Sequence, residues 1–156
     1  VEAARLAVAA DVPRMAELYR VAASELATQR GGEVFLAREA RAEPAETGLS
    51  SALVDPCQQA WVGTIDGVVM GYLVARLEDL RDGRRLGVVE DVFVEEGARS
   101  VGVGEALIDA ALAWLGAQGC AGVDAFALPG MRETKNFFET FGFTARLLVV
   151  HHRIEP

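Results

Sequence analysis

Cysteine is scarce in this 156-residue sequence: Cys57 and Cys120 are the only two. They stand far apart, in no C-x-x-C pattern and with no histidine nearby. Neither a zinc site nor a disulfide framework is therefore indicated, no metal is expected, and a reducing cytoplasm suits both thiols. No run of about 18 apolar residues occurs, and Val1 to Ala10 lack a basic segment followed by an apolar stretch, so neither membrane insertion nor secretion is expected. Positive charge is in deficit. Fifteen Lys and Arg against 23 Asp and Glu leave a formal charge of -8 and a pI of about 4.8, which argues against nucleic acid or an anionic membrane as partner and favours cationic small molecules. No internal repeat, linker or low-complexity tract stands out. The chain opens on Val1 rather than Met, so its beginning is taken as processed or trimmed.

Against these absences, 51% apolar residues with 7% aromatic suffice for one hydrophobic core, and residues 1–156 are expected to form a single domain. The stretch that organises it runs from Leu86 to Leu115. A strand is predicted over Leu86 to Val94, then a bend from Glu95 to Arg99, then Arg99-Ser100-Val101-Gly102-Val103-Gly104 opening an amphipathic helix. In an R-x-x-G-x-G turn two glycines let the backbone approach an anion, and the first helical turn leaves N–H groups free at the positive end of the helix dipole. A lone G-x-G is more often an ordinary tight turn. Two familiar phosphate loops fail on these residues: a dinucleotide fingerprint needs Gly or Ala where Leu107 stands, and a Walker loop needs Gly-Lys-Ser/Thr.

The remaining chain alternates strands and helices, which supports a mixed α/β layer structure. Ala4 to Ala9 is a first strand, Asp11 a helix cap and Pro13 a first-turn residue, followed by an apolar stripe at Val12, Met15, Ala16, Tyr19, Ala22, Ala23 and Leu26. Glu33 to Leu53 suggests one or two short helices. Asp66-Gly67 between apolar runs is a strong hairpin signal. The helix after the glycines buries Val103, Leu107, Ala110, Ala111, Trp114 and Leu115 and stops at Gly119. Cys120 to Leu128 is expected as a buried strand and Arg132 to Phe141 as a helix capped by Gly142 with Phe143 folded back. Thr144 to Ile154 is expected to end the sheet as a full strand, with His151 and His152 on opposite faces and so no shared metal.

The sequence Val89-Glu90-Asp91-Val92-Phe93-Val94, the acidic bend and Arg99-x-x-Gly102-x-Gly104 resemble the GNAT superfamily of N-acetyltransferases, and Phe137-Phe138-Glu139-Thr140-Phe141-Gly142-Phe143 is similar to that family's F-Y-E-x-x-G-F signature. The resemblance extends over most of the chain. It implies an acyl-CoA-binding fold, a central mixed sheet flanked by helices, and acetyl transfer from acetyl-CoA, as co-substrate, to a primary amine by direct attack. The acceptor would be a small-molecule or peptide amine, with acidic composition favouring a small cation, and family habit implies a homodimer. By the same resemblance Val92, Phe93 and Val94 meet the pantetheine arm through their backbone, and Arg99, Ser100, Val101, Gly102, Val103 and Gly104 cradle the pyrophosphate. Phe138 stands where the family's usual Tyr lies beside the cofactor.

Amine acetylation needs a base, a donor to the carbonyl oxygen and a tolerated thiolate. Glu90 is the leading base, since alternation puts it on the face of Val92 and Val94 and sends Asp91 to the other; the same Glu serves proton removal in the polyamine-acetylating branch that this strand resembles. A surface ion pair explains such a carboxylate about equally well. The oxygen would be met by a backbone N–H near Val92 or Val94, where the resemblance implies a splayed strand. Phe138 has no hydroxyl to donate, so water, Tyr72 or Ser100 is left as acid; Tyr72 is more often a core residue. Two further departures are Val101, where relatives carry a basic or polar residue, and Met131, where they carry Asn. Arg132, Lys135 and Asn136 suit CoA contacts or, more commonly, a solvated helix face. Phe138 also supports the rival reading, an acyl-CoA-binding sensor without efficient chemistry.

Overall fold

Asp66 and Gly67 both adopt positive φ, 48° and 83°, the mirror-image turn whose twist matches antiparallel strands. They join β2 (Gln58–Ile65) to β3 (Val68–Asp79). The computed structural model describes all residues from Val1 to Pro156. Its sheet has the order β1-β2-β3-β4-β5, with β1 (Glu2–Leu6), β4 (Arg85–Val94) and β5 (Cys120–Asp124) completing it. All neighbours pair antiparallel except β4 and β5, which are parallel. A parallel pair needs a crossover, supplied by α4 (Val103–Ala117).

Helices cover both faces. On one side α1 (Val12–Ala27) and α3 (Ala45–Val54), linked through the short α2 (Gly32–Arg38), bury Met15, Leu18, Tyr19 and Leu49 against Val62, Tyr72, Val74 and Phe93. On the other, α4 and α5 (Arg132–Thr140) bury Leu107, Ile108, Leu115 and Phe138 against Trp61, Leu73 and Val89. Each large apolar side chain withdrawn this way contributes about 1.5–3 kcal/mol. Trp114 is half-buried in the second layer, edge-on to Trp61 at 5.9 Å. At the end of α5, Gly142 takes φ 85° and the Phe143 N–H reaches back to the Phe138 carbonyl at 3.2 Å, a left-handed cap that returns Phe143 onto Phe138.

The sheet is packed tightly on α4. A Cβ on Gly63 would lie 2.5 Å from Val103 Cγ1 and 3.1 Å from Leu107, so Gly63→Ala is expected to destabilise by about 1–3 kcal/mol through overpacking. A fall of several degrees in Tm checks this; an unchanged Tm would show that α4 yields freely.

Four expectations are corrected. The first strand is Glu2–Leu6, and Ala9 to Asp11 form a 3-10 turn instead. Asp11 does not cap α1 with its side chain; its carboxylate accepts from the Val8 N–H at 2.8 Å and from Arg5, holding the turn before the helix. β5 stops at Asp124 rather than Leu128, because the chain leaves the sheet to reach α5. Thr144 to Ile154 is no strand. Leu147, Leu148, Val149 and Val150 are 70–91% exposed, tied to the sheet through an ion pair of Arg146 with Asp124. Apolar composition supplies strand propensity, but a strand exists only where a neighbour completes its hydrogen bonds.

Candidate functional site

The ladder between β4 and β5 ends at Val88 and Asp124. Beyond it Val89 to Val94 keep only β3 beside them, so β4 and β5 part, leaving the far edge of β4 without a neighbouring strand.

Within β4, Val74 pairs with Asp91 but the next residue of β3, Ala75, pairs with Val89. Glu90 is the extra residue of a β-bulge. A bulge re-aims side chains that strict alternation would send to opposite faces, and this one corrects the expected parity. Val89, Val92 and Val94 pack toward α4, whereas Phe93 packs toward α1. Glu90 and Asp91 both reach Arg41, from the segment between α2 and α3, on the α1 side.

Arg41 binds Asp91 with two nitrogens, Nε to Oδ2 at 3.1 Å and Nη2 to Oδ1 at 2.7 Å, and Nη2 also lies 3.4 Å from Glu90 Oε2. Arg76 Nε pairs with Glu90 Oε1 at 2.8 Å. Tyr72 is buried and donates its hydroxyl to Asp91 Oδ2 at 3.0 Å. Burial first, then the neighbouring Asp91, pushes the Glu90 carboxyl above its ordinary value despite Arg41 and Arg76. Burial, reinforced by Asp91, pushes the Tyr72 phenol well up. Arg41, Arg76, Glu90 and Asp91 border a cavity of about 620 Å³ walled also by Glu39, Glu43, Pro44 and Phe126. A half-buried carboxyl that favours its proton more than an exposed one, at the wall of a cavity, is suited to proton transfer.

At the other end of β4, Ser100 and Gly102 both take positive φ, 70° and 95°. Gly102 is the N-cap of α4, and the first bond inside the helix runs from the Ala106 N–H to the Gly102 carbonyl. The N–H groups of Val103, Gly104 and Glu105 therefore lack helical acceptors. Val101 and Ser100 are exposed beside them. Gly104 is required by close packing, since its Cβ would lie 2.9 Å from the Phe137 ring. The ring that meets the glycine turn is thus Phe137; Phe138, 6% exposed, packs into the core. Arg99 donates Nε to the Val94 carbonyl at 2.9 Å, sits over Phe93 at 5.3 Å and reaches both oxygens of Glu25 at 3.2 Å. Met131 precedes α5, and Arg132, Lys135 and Asn136 are exposed on it. His151 and His152 are exposed in the tail.

Parted strands, a bulged carboxylate and free helix-start amides thus follow one another along β4 and the turn into α4. A family model for the acetyltransferase (GNAT) family matches residues 12–143. The chain belongs to the GNAT acetyltransferase family. This GNAT chain is similar in fold to the BH1408 protein of Bacillus halodurans, seen as a tetramutant, at 17% identity and TM-score 0.82 over 97% of this chain and 99% of that one. It is also similar to the ribosomal-protein-alanine N-acetyltransferase of Brucella melitensis, at 18% identity and TM-score 0.70 over 99% and 100%. A third likeness is to the aminoglycoside acetyltransferase meta-AAC0020 from an uncultured soil sample, solved with sisomicin, at 18% identity and TM-score 0.70 over 99% and 96%. No curated protein sequence matches significantly. No helix of this GNAT chain is long and apolar enough to cross a membrane.

Sequence reasoning missed Arg41, Arg76 and the role of Asp91. Arg41 lies 50 residues from Asp91, and no local pattern pairs them. The available signal was Glu90-Asp91 itself, two adjacent carboxylates inside an otherwise apolar strand, which require partners wherever they point.

Proposed function

We propose that residues 1–156 form a single acetyltransferase domain that moves an acetyl group from acetyl-CoA to a primary amine by direct attack, with Glu90 as the base. The observation that carries this is the bulge, which turns Glu90 to the cavity wall on the strand that leads to the glycine turn. The residues fit the co-substrate: the amides of Val103 to Glu105, the left-handed Gly102 and the Gly104 that admits Phe137 form a concave, donor-rich helix start for a pyrophosphate. Bound there, acetyl-CoA supplies an activated acetyl group. The unpaired edge of β4 near Val92 to Val94 offers backbone N–H groups for the carbonyl oxygen. Glu90 takes the amine proton, and holding the reactants together replaces a bimolecular encounter.

The departing sulfur needs little help, because a thiol has a pKa near ~8.5. Tyr72 remains the candidate acid within the chain, its hydroxyl donating to Asp91. The cavity walls carry Arg38, Arg41 and Arg76 against Glu39, Glu43, Glu90 and Asp91, an excess of carboxylates that supports a small cationic amine. Two free cysteines, Cys57 exposed, support a cytoplasmic setting.

CoA-thiol release from acetyl-CoA with pooled amines and short peptides, with mass detection of products, tests the assignment. An acetylated amine formed only with acceptor present supports it, and none formed from acetyl-CoA or other acyl-CoAs overturns it.

The partner is a second copy of the chain. Leu147 and Val149 alternate with Leu148 and Val150, so a strand formed there is apolar on both faces, as strands inside a sheet are rather than at its edge. Light scattering should give twice the chain mass, reduced to one by Val149→Pro; a wild-type monomer at about 100 μM, well above the Kd of a stable interface, overturns it.

A further inference from the structure

The Arg41 side chain is 8% exposed and that of its partner Asp91 10%. Four elements converge on this pair. From α1, the Tyr19 hydroxyl donates to the Arg41 carbonyl at 2.7 Å; from β3, the Tyr72 hydroxyl donates to Asp91. From α3, Gly48 is open where a Cβ would lie 2.8 Å from Arg41 Nη1. Glycine costs a helix roughly 1 kcal/mol against alanine, and here its missing Cβ is the space the guanidinium occupies. β4 contributes the two carboxylates, and they are held unequally: Asp91 takes the two-nitrogen fork, Glu90 only the 3.4 Å approach.

We infer that Arg41 is a positioning residue that divides the roles of the adjacent carboxylates, anchoring Asp91 and leaving Glu90 on the cavity wall to exchange a proton with the acceptor. This rests on Glu90 being the base. A fork of two parallel N–H bonds fixes a carboxylate in place as a single contact does not. The other charges facing Glu90 are accounted for. Arg76 of β3 is shared with Glu78 at 2.7 Å. In the α2–α3 segment, Glu39 is paired with Arg38 and Glu43 with Arg20. Arg41 is therefore the cation whose removal leaves Asp91 without an ion-pair partner and Glu90 with Arg76 alone. Like charges then oppose ionisation of Glu90 more strongly, and the proton is taken up at higher pH.

The experiment compares Arg41→Met, Arg41→Gln and Arg41→Lys with the wild type in two readouts: the pH profile of kcat/KM, and the titration of the Glu90 side-chain carboxyl by ¹³C NMR in the free protein. With Met or Gln, the midpoint of both should rise by about one pH unit, lowering kcat/KM below that midpoint about tenfold. Lys, which keeps the charge, should hold the midpoint near the wild-type position while losing the fork. Gln retains a hydrogen-bonding head and decides the matter where Met does not fold. Unmoved midpoints in the Met and Gln variants overturn the inference. If Glu90→Gln keeps full turnover and the same profile, the base assignment itself fails; if it removes the acid limb while the Arg41 variants leave that limb in place, only the inference fails. The NMR titration answers without any acceptor.

Discussion

Glu90→Gln is expected to lower kcat for amine acetylation roughly 10²–10⁴-fold, the range for loss of a general base, while acetyl-CoA affinity stays within about threefold of wild type. The amide keeps the shape and the contact with Arg76 but cannot take a proton. The sign of the pH dependence follows from the site. A base works deprotonated, so kcat/KM of the wild type should rise with pH through the Glu90 transition, placed above the ordinary carboxylate range by burial and by Asp91. The variant should lack that limb. Stopped-assay kinetics across pH, with calorimetric titration of acetyl-CoA, separate the two quantities. Equal loss of cofactor binding and turnover would instead make Glu90 a structural ion-pair partner of Arg41 and Arg76.

The second large effect is expected at the glycine turn. Gly104→Val places a branched side chain where Cβ alone would lie 2.9 Å from the Phe137 ring, and Gly102→Val forces φ 95° on a β-branched residue, a conformation such residues rarely adopt. Either shift disturbs the amides of Val103 to Glu105, and acetyl-CoA affinity should fall by more than about tenfold, since donors displaced from an anion lose charge-assisted hydrogen bonds. Thermal unfolding gives a sensitive readout: a ligand at 100 times its Kd stabilises by about 2.7 kcal/mol, and that increment should fall to about 1.4 kcal/mol or less in both variants. Variants that lose stability yet keep the full increment would show the glycines to serve packing only.

Much of the fold was legible in local pattern. Asp66-Gly67 announced the hairpin, the stripe from Val12 to Leu26 announced α1, and the glycine turn with its amphipathic continuation announced α4. Each is an interaction between residues near in sequence, where spacing and turn chemistry decide the outcome. The Thr144 to Ile154 segment shows the converse. Its composition is that of a strand, but pairing depends on a neighbour that composition does not name. The same limit hid the site. Alternation along β4 put Glu90 and Asp91 on opposite faces, and one extra residue in the β3 pairing brought them to the same arginine.

The amino-acid sequence by itself determined the anion-suited helix start, the mixed α/β layering and the presence of two carboxylates in a buried strand, because turn conformation, helix capping and hydrophobic period are set by residues a few positions apart. Only the tertiary structure decided which charges those carboxylates meet. Arg41 and Arg76 come from separate elements, and the β-bulge exists through the register of β4 against β3 rather than through either strand alone. Burial, which lifts the proton affinity of Glu90, arises where the segment between α2 and α3 closes over the sheet, a property of the packed whole that no stretch of the chain carries.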